Sequence, residues 1–438
     1  MEGIDDALLM EILCRACSSP KFAFQCKLVC KRWESLISNP IFPSRWNELC
    51  NIYHPNRRKL FFLIFNLRIR PKQNKYMLNH VVSKPTNLLG RRKSFKLDFL
   101  PCSKQGLPAS VRIAASCSNG LLLCHSIGHL MDSEPRVYYL CNPLTREWVA
   151  LPPFPAKYPF MEGVAVGIVC DDKNWSSTYR VVRFHEGKYA YPFNGHRSAF
   201  IAEIFSSKTN EWEETEVWYP PLNNPSFCFL GYRSGAEYLS DNIFSCNGRL
   251  FMMNAMGIVV YNPFEPERFH IIKFPNEPHF RHIVYGESKG SFRLLANTSI
   301  GGHGCFKIWE LTDYEKGEWR LINEIFFRDM DTDDVALKQA VWHDGGKGVQ
   351  SLGLDPNDEH TVYFDLLIRD GFSGRNCVNH RQIFSCNLQT KKAELLHPTI
   401  SQWSAEKELG RAYINVFHFA SSEYWPTCSN EMPLPTSN

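Results

Sequence analysis

The pattern of apolar positions changes once along the chain, from a helical period to short strand-like runs. Over the first fifty residues the period is helical. Leu8/Ile12 and Leu9/Leu13 are i,i+4 pairs on adjoining strips. Asp5-Asp6 stands ahead of them, where a carboxylate accepts from the open N–H groups of a helix start. Ser18-Ser19-Pro20 breaks that helix and opens a second short one over Lys21 to Lys27. Val29, Trp33, Leu36 and Ile37 then fall at i, i+4, i+7 and i+8, one stripe of a third helix, which Asn39-Pro40 stops. Three short helices in about 45 residues bury little surface, and a unit this small needs a metal, disulfides or a partner to be stable. This end is therefore expected to dock on something.

From about residue 100 the period shortens to that of strands. Ser116-Cys-Ser-Asn-Gly-Leu-Leu-Leu123 and Ser245-Cys-Asn-Gly-Arg-Leu-Phe251 place Asn-Gly between apolar runs, a tight hairpin signal. A unit of apolar strand, short polar turn and ring-bearing residue recurs, with Trp148, Trp212, Phe269 and Trp319 spaced 64, 57 and 50 apart. A weaker fifth copy covers 382–392. A repeat near 50 residues with several short strands predicts propeller blades, whose two apolar faces are buried only by radial stacking. The remaining length predicts about six blades. Residues 60–100 are available for part of the first blade and 412–419 for a closing strand. The expected fold is thus mainly β. It comprises a small N-terminal three-helix unit (1–45), a basic linker (46–100), a β-propeller (101–425) and a C-terminal tail (426–438).

Composition adds limits. The 438 residues are 44% hydrophobic and 21% charged, ordinary for a globular chain. The longest apolar run, 60–65, ends before Arg68, too short for a membrane helix. The first ten residues carry acids where a secretory leader needs bases, so a cytoplasmic or nuclear protein is expected. In such a chain the 16 cysteines read as reduced, mostly buried thiols. Net charge is +4, but Leu49 to Leu97 holds twelve Lys/Arg and no acid. That stretch suits an acidic partner; a nucleic-acid-associated regulator is the alternative function, which steeply salt-dependent binding would reveal.

Glu11-Ile-Leu13, Arg15, Cys26-Lys-Leu-Val-Cys-Lys-Arg-Trp33, Ser35-Leu-Ile37 and Pro40-Ile-Phe42 together resemble an F-box. The opening Leu-Pro of that family is here Gly3-Ile4, and its Leu-Pro after the first helix is Ala16-Cys17. The resemblance implies a helical module that binds the Skp-type adaptor of a cullin–RING ubiquitin ligase. It also implies that Ile4, Leu8, Ile12, Leu13, Leu28, Val29, Trp33 and Leu36 divide between module core and adaptor face, a division the sequence leaves open. Ser116-Cys-Ser-Asn-Gly-Leu-Leu-Leu123 with Cys141-Asn-Pro-Leu-Thr-Arg-Glu-Trp148-Val-Ala-Leu-Pro152, and Lys307-Ile-Trp-Glu-Leu311 before Trp319, resemble the kelch-like propeller of plant F-box proteins. Together the two resemblances imply a non-catalytic substrate receptor, with no cofactor, whose propeller loops bind a target protein of unknown identity.

Motifs that would carry chemistry are weak. Cys14-x-x-Cys17 and Cys26-x-x-x-Cys30 have zinc-like spacing, but they fall within helices where a small apolar residue would serve. Gly286-Glu-Ser-Lys-Gly290 matches a nucleophile elbow, yet a strand rather than a helix follows it. Asp329 to Asp334 lacks the Gly and Glu of a calcium loop, and Gly345-Gly-Lys-Gly348 lacks Walker spacing, so both read as turns. Asn174 and Asn297 open glycosylation triplets that are expected to be accidental. No local His/Tyr/Cys pattern marks the copper site of a kelch-fold oxidase.

Overall fold

The structure is a computed structural model. It describes residues 4–16, 25–39, 41–42, 45–46, 49, 60–68, 79–83, 97, 99–101, 111–117, 121–126, 137–142, 146–154, 165–170, 178–186, 199–218, 243–254, 257–266, 269–276, 282–300, 303–342, 346, 348–370, 378–397 and 413–421.

At the N-terminal end α1 (Asp6–Ala16) and α2 (Lys31–Ser38) are joined through one helical turn at Gln25–Lys27. Two helices and that turn stand where three helices were predicted; most of the expected second helix lies outside the described residues. Leu9, Leu13 and Cys14 of α1 close on Leu36 and Ile37 of α2, with Cys26, Phe42, Trp46 and Leu49 completing the cluster. Arg32 on α2 reaches back to the Asp6 carboxylate at 2.8 Å and to the Ile4 carbonyl, which sets the two helices against each other.

Strands β1 (Leu60–Arg68) and β2 (Asn79–Ser83) follow. Five four-stranded antiparallel sheets come next, each built from consecutive strands. The first is β3 (Val111–Ser116), β4 (Leu122–Ser126), β5 (Tyr138–Asn142) and β6 (Glu147–Ala150). The second is β7 (Ala165–Cys170), β8 (Tyr179–Glu186), β9 (Ala199–Ser206) and β10 (Glu211–Trp218). The third is β11 (Phe244–Cys246), β12 (Arg249–Asn254), β13 (Gly257–Tyr261) and β14 (Phe269–Lys273). The fourth is β15 (His282–Ser288), β16 (Ser291–Ile300), β17 (His303–Asp313) and β18 (Glu318–Phe326). A 3-10 turn at Phe327–Asp329 and helix α3 (Val335–Trp342) precede the fifth: β19 (Val349–Leu354), β20 (Thr361–Asp370), β21 (Val378–Asn387) and β22 (Lys392–His397). Last, β23 (Tyr413–Ser421) pairs with β1, so one three-stranded sheet, β2-β1-β23, joins both ends of the fold.

The first strands touch in sequence, β3 to β7 to β11 to β15 to β19, and β23 touches both β19 and β3. The sheets therefore close a ring, and the fold is mainly β. The predicted count of about six blades is corrected to five complete ones among the described residues. The difference lies at the ends, where β1, β2 and β23 supply three strands, not four.

The repeat grammar has a structural cause. Arg146, Asn210, Gly317 and Lys391 each adopt positive φ, 64, 58, 67 and 60°. Each is the last residue before a fourth strand, namely β6, β10, β18 or β22. The ring residues Trp148, Trp212, Phe269 and Trp319 all lie at the start of fourth strands. Two of the indoles bind the preceding blade: Trp212 Nε1 donates to the Pro152 carbonyl at 2.9 Å, and Trp319 Nε1 to that of Lys273 at 2.8 Å.

The core is divided between blades. Leu123, Tyr138 and Leu140 of the first meet Ile168, Val181 and Phe205 of the second. Phe251 of the third stacks on Phe292 of the fourth, centroids 4.3 Å apart. Leu337, Ala340 and Val341 of α3 join the apolar cluster that Phe306 of the fourth blade and Phe364 of the fifth share. Each such large side chain removed from water contributes about 1.5–3 kcal/mol, so neighbouring blades stabilise one another through facing apolar surfaces.

Candidate interaction surface

The helical unit separates the predicted positions by burial. Leu13 and Leu36 are core, while Ile4 and Trp33 are partly buried against it. Leu8, Ile12, Leu28 and Val29 stand in water, 55, 43, 85 and 61% exposed. The i,i+4 pairing explains the split on α1. Leu9 and Leu13 share the strip facing α2, and Leu8 and Ile12 share the neighbouring strip, which nothing in the described unit covers. Leu28 and Val29 lie in the turn between Gln25–Lys27 and α2, where Leu28 N–H bonds to the Gln25 carbonyl and Val29 N–H to that of Cys26.

Ile41, 64% exposed, was not among the predicted site residues. Its signal was the preceding Asn39-Pro40: Asn39 Oδ1 accepts from the Ile41 N–H at 2.9 Å and turns the chain after α2. Five of the ten exposed large apolar residues among those described thus fall between Leu8 and Ile41. Isolated surface apolar residues need no explanation, but this density on so small a unit makes it the candidate contact surface.

Charge borders the same unit. Glu11 bonds to Arg15 one turn on and lies 3.6 Å from Arg45. The Arg15 hydrogen bond holds its carboxyl below the usual range. These pairs are exposed and contribute orientation more than stability.

Among the described residues no group of three or more His, Cys, Asp or Glu is placed to hold a metal. Of the four zinc-spaced cysteines, Cys14 and Cys26 lie in the helical core, Cys30 is exposed, and Cys17 lies outside the described residues. The elbow-like serine sits in a β15–β16 hairpin. Ser288 is fully buried, its hydroxyl donating to the Asp355 carbonyl at 2.7 Å, and Lys289-Gly290 make the turn with φ 48 and 78°. Asp334 accepts from Leu337 N–H at 2.8 Å, so the end of the acidic stretch caps α3. Asn297 is buried and donates to the Val349 carbonyl at 2.7 Å. Asn174 and most of the basic 49–97 stretch lie outside the described residues.

A closed ring of antiparallel sheets preceded by a small helical unit defines a β-propeller protein. The family model described as F-box protein At3g26010-like, beta-propeller, matches residues 90–423. The chain belongs to that family of plant F-box proteins. It is similar to F-box protein At5g49610 of Arabidopsis thaliana, 26% identical over 74% of this chain and 79% of that protein. It is also similar to two Arabidopsis thaliana chains whose F-box/kelch-repeat designation is itself inferred. At1g15680 is 24% identical over 74% of this chain and 72% of that one, and At4g22430 is 26% identical over 57% and 59%. Among solved structures, the β-propeller domain of Vanderwaltozyma polyspora Nup133 aligns with 10% identity and a TM-score of 0.30 over 82% of this chain and 87% of that one.

Proposed function

We propose that this chain is the substrate-recognition subunit of an SCF-type ubiquitin ligase. In this reading the helical unit docks on a Skp-type adaptor, and propeller loops hold a target protein. Members of the family are typically non-catalytic adaptors, and here too the bond-making would belong to other subunits. The chain's contribution would be proximity, which raises the effective concentration of a target lysine near the charged conjugate.

The observation that carries the reading is the apolar surface of Leu8, Ile12, Leu28 and Val29, left in water beside the cluster of Leu9, Leu13, Leu36 and Ile37. Leu28→Glu with Val29→Glu places two charges there without touching the core. The expected result is loss of co-purification with a Skp-type adaptor while the full chain's melting midpoint is unchanged. Retained co-purification overturns the docking surface. Trp33→Ala with Leu36→Ala is the weaker test, because Leu36 is core and its loss unfolds the unit.

A further inference from the structure

The boundary between the first two blades holds two thiols in contact. Cys117 directly follows β3, the inner strand of the first blade, and Cys170 ends β7, the inner strand of the second. Their sulfurs are 3.5 Å apart although 53 residues separate them in sequence. They lie in one apolar cluster with Val181 and Phe205. The Cys117 backbone is held by its N–H bond to the Leu121 carbonyl, 3.1 Å, and Cys170 by the β7–β8 ladder opposite Tyr179. Both anchors keep the two thiols facing each other.

We propose that Cys117 and Cys170 form an inter-blade disulfide when the protein meets hydrogen peroxide. The sulfurs need close by only about 1.5 Å to reach bonding distance. Both thiols are buried, and Cys170, 8% exposed against 3% for Cys117, is the less enclosed and takes the first step. Its thiolate sulfur attacks a peroxide oxygen and the O–O bond breaks. The departing hydroxide takes up the thiol's proton as water, leaving a sulfenic acid. The Cys117 sulfur then attacks the Cys170 sulfur. The S–S bond forms, the S–O bond breaks, and the oxygen leaves as a second water carrying the Cys117 proton. Two thiols and one peroxide give one disulfide and two waters, with two electrons passing from sulfur to oxygen.

The other close pair, Cys124 and Cys141, has sulfurs 3.9 Å apart on adjacent strands β4 and β5 of one blade. A bond there would join strands that are already paired. A Cys117–Cys170 bond instead staples two blades across a long loop, where a crosslink restricts the unfolded chain most.

The test treats the purified full chain with hydrogen peroxide, alkylates remaining thiols, digests without reductant and maps peptides by mass spectrometry. The expected product is a linked Cys117–Cys170 peptide pair that dithiothreitol splits, with a melting midpoint raised by about 5 °C over the reduced protein. Cys170→Ser should lose both signals, and Cys117→Ser likewise. Recovery of both residues still as thiols overturns the proposal. So does Cys170 as sulfinic acid beside an alkylated Cys117. Should either serine variant fail to fold, the wild-type map with and without dithiothreitol decides the matter alone.

Discussion

Arg183 and Glu203 face each other across β8 and β9, hydrogen-bonded guanidinium to carboxylate, with each side chain only 1% exposed. The Arg183 guanidinium also lies 3.6 Å from the centroid of the Phe154 ring, and His185 Nε2 lies 3.8 Å from Glu203. A buried charge whose partner is removed is far costlier than the pair itself is valuable. Arg183→Met should therefore destabilise the protein by about 3–5 kcal/mol, while Arg183→Met with Glu203→Leu should cost less than the single change. Urea unfolding of both variants checks this; a double variant worse than the single one contradicts it.

The indole bonds between blades predict a smaller effect with a clear pattern. Trp319→Phe keeps an aromatic six-membered ring and removes the N–H that reaches Lys273, and Trp212→Phe does the same toward Pro152. Each should lose about 1 kcal/mol. Trp148 shows no such bond among the described residues, and Trp148→Phe should stay within about 0.5 kcal/mol of wild type. Equal losses at all three positions would point to ring packing rather than the hydrogen bond.

Gly346 ends α3. Its N–H bonds to the Ala340 carbonyl at 3.0 Å with φ at 76°, and an added Cβ would sit 2.1 Å from the buried Phe327 ring. Gly346→Ala combines left-handed strain with overpacking and should cost about 2–4 kcal/mol. Gly248→Ala tests the strain alone, since φ is 72° there but the space around its Cβ is open. It should cost about 1 kcal/mol. Thermal melts of the two variants should therefore separate the steric part from the backbone part.

Arg293 on β16 binds Glu310 of its own blade at 2.8 Å and Glu359 of the next at 3.0 Å. Burial alone raises the Glu310 carboxyl, but Arg293 and Arg320 outweigh it and hold the group below its ordinary value. The Arg293 hydrogen bond does the same for Glu359. A depressed folded value adds stability that is complete above the unfolded value, 4.5, and disappears as pH falls through the folded one. Lowering pH below 4.5 should therefore depress the melting midpoint, and Glu310→Gln should make that dependence shallower. An unchanged slope would mean other carboxylates govern acid unfolding.

The blades were legible because their signals are local. Asn247-Gly248 adopts the two positive φ angles, 49 and 72°, that the Asn-Gly hairpin required. The spaced rings marked fourth strands because each one opens an outer strand. The division of the helical unit was not legible. Leu8 and Leu9 head two equally apolar strips, and periodicity does not say which strip Phe42 and Trp46 will cover. Those two side chains come from beyond the third predicted helix, so the decision is tertiary. The three-stranded end sheet was only half visible for the same reason, because pairing β1 with β23 spans nearly the whole chain and leaves no local mark.

That pairing sets a schedule for the ribosome. β1 is translated early, but the β23 that covers its edge follows only about 340 residues later, a delay of some tens of seconds at ordinary synthesis rates. Throughout that interval the nascent protein exposes the strand edge of β1 that β23 later covers. The edge is covered along its full length only once translation reaches Ser421, the partner of Leu60.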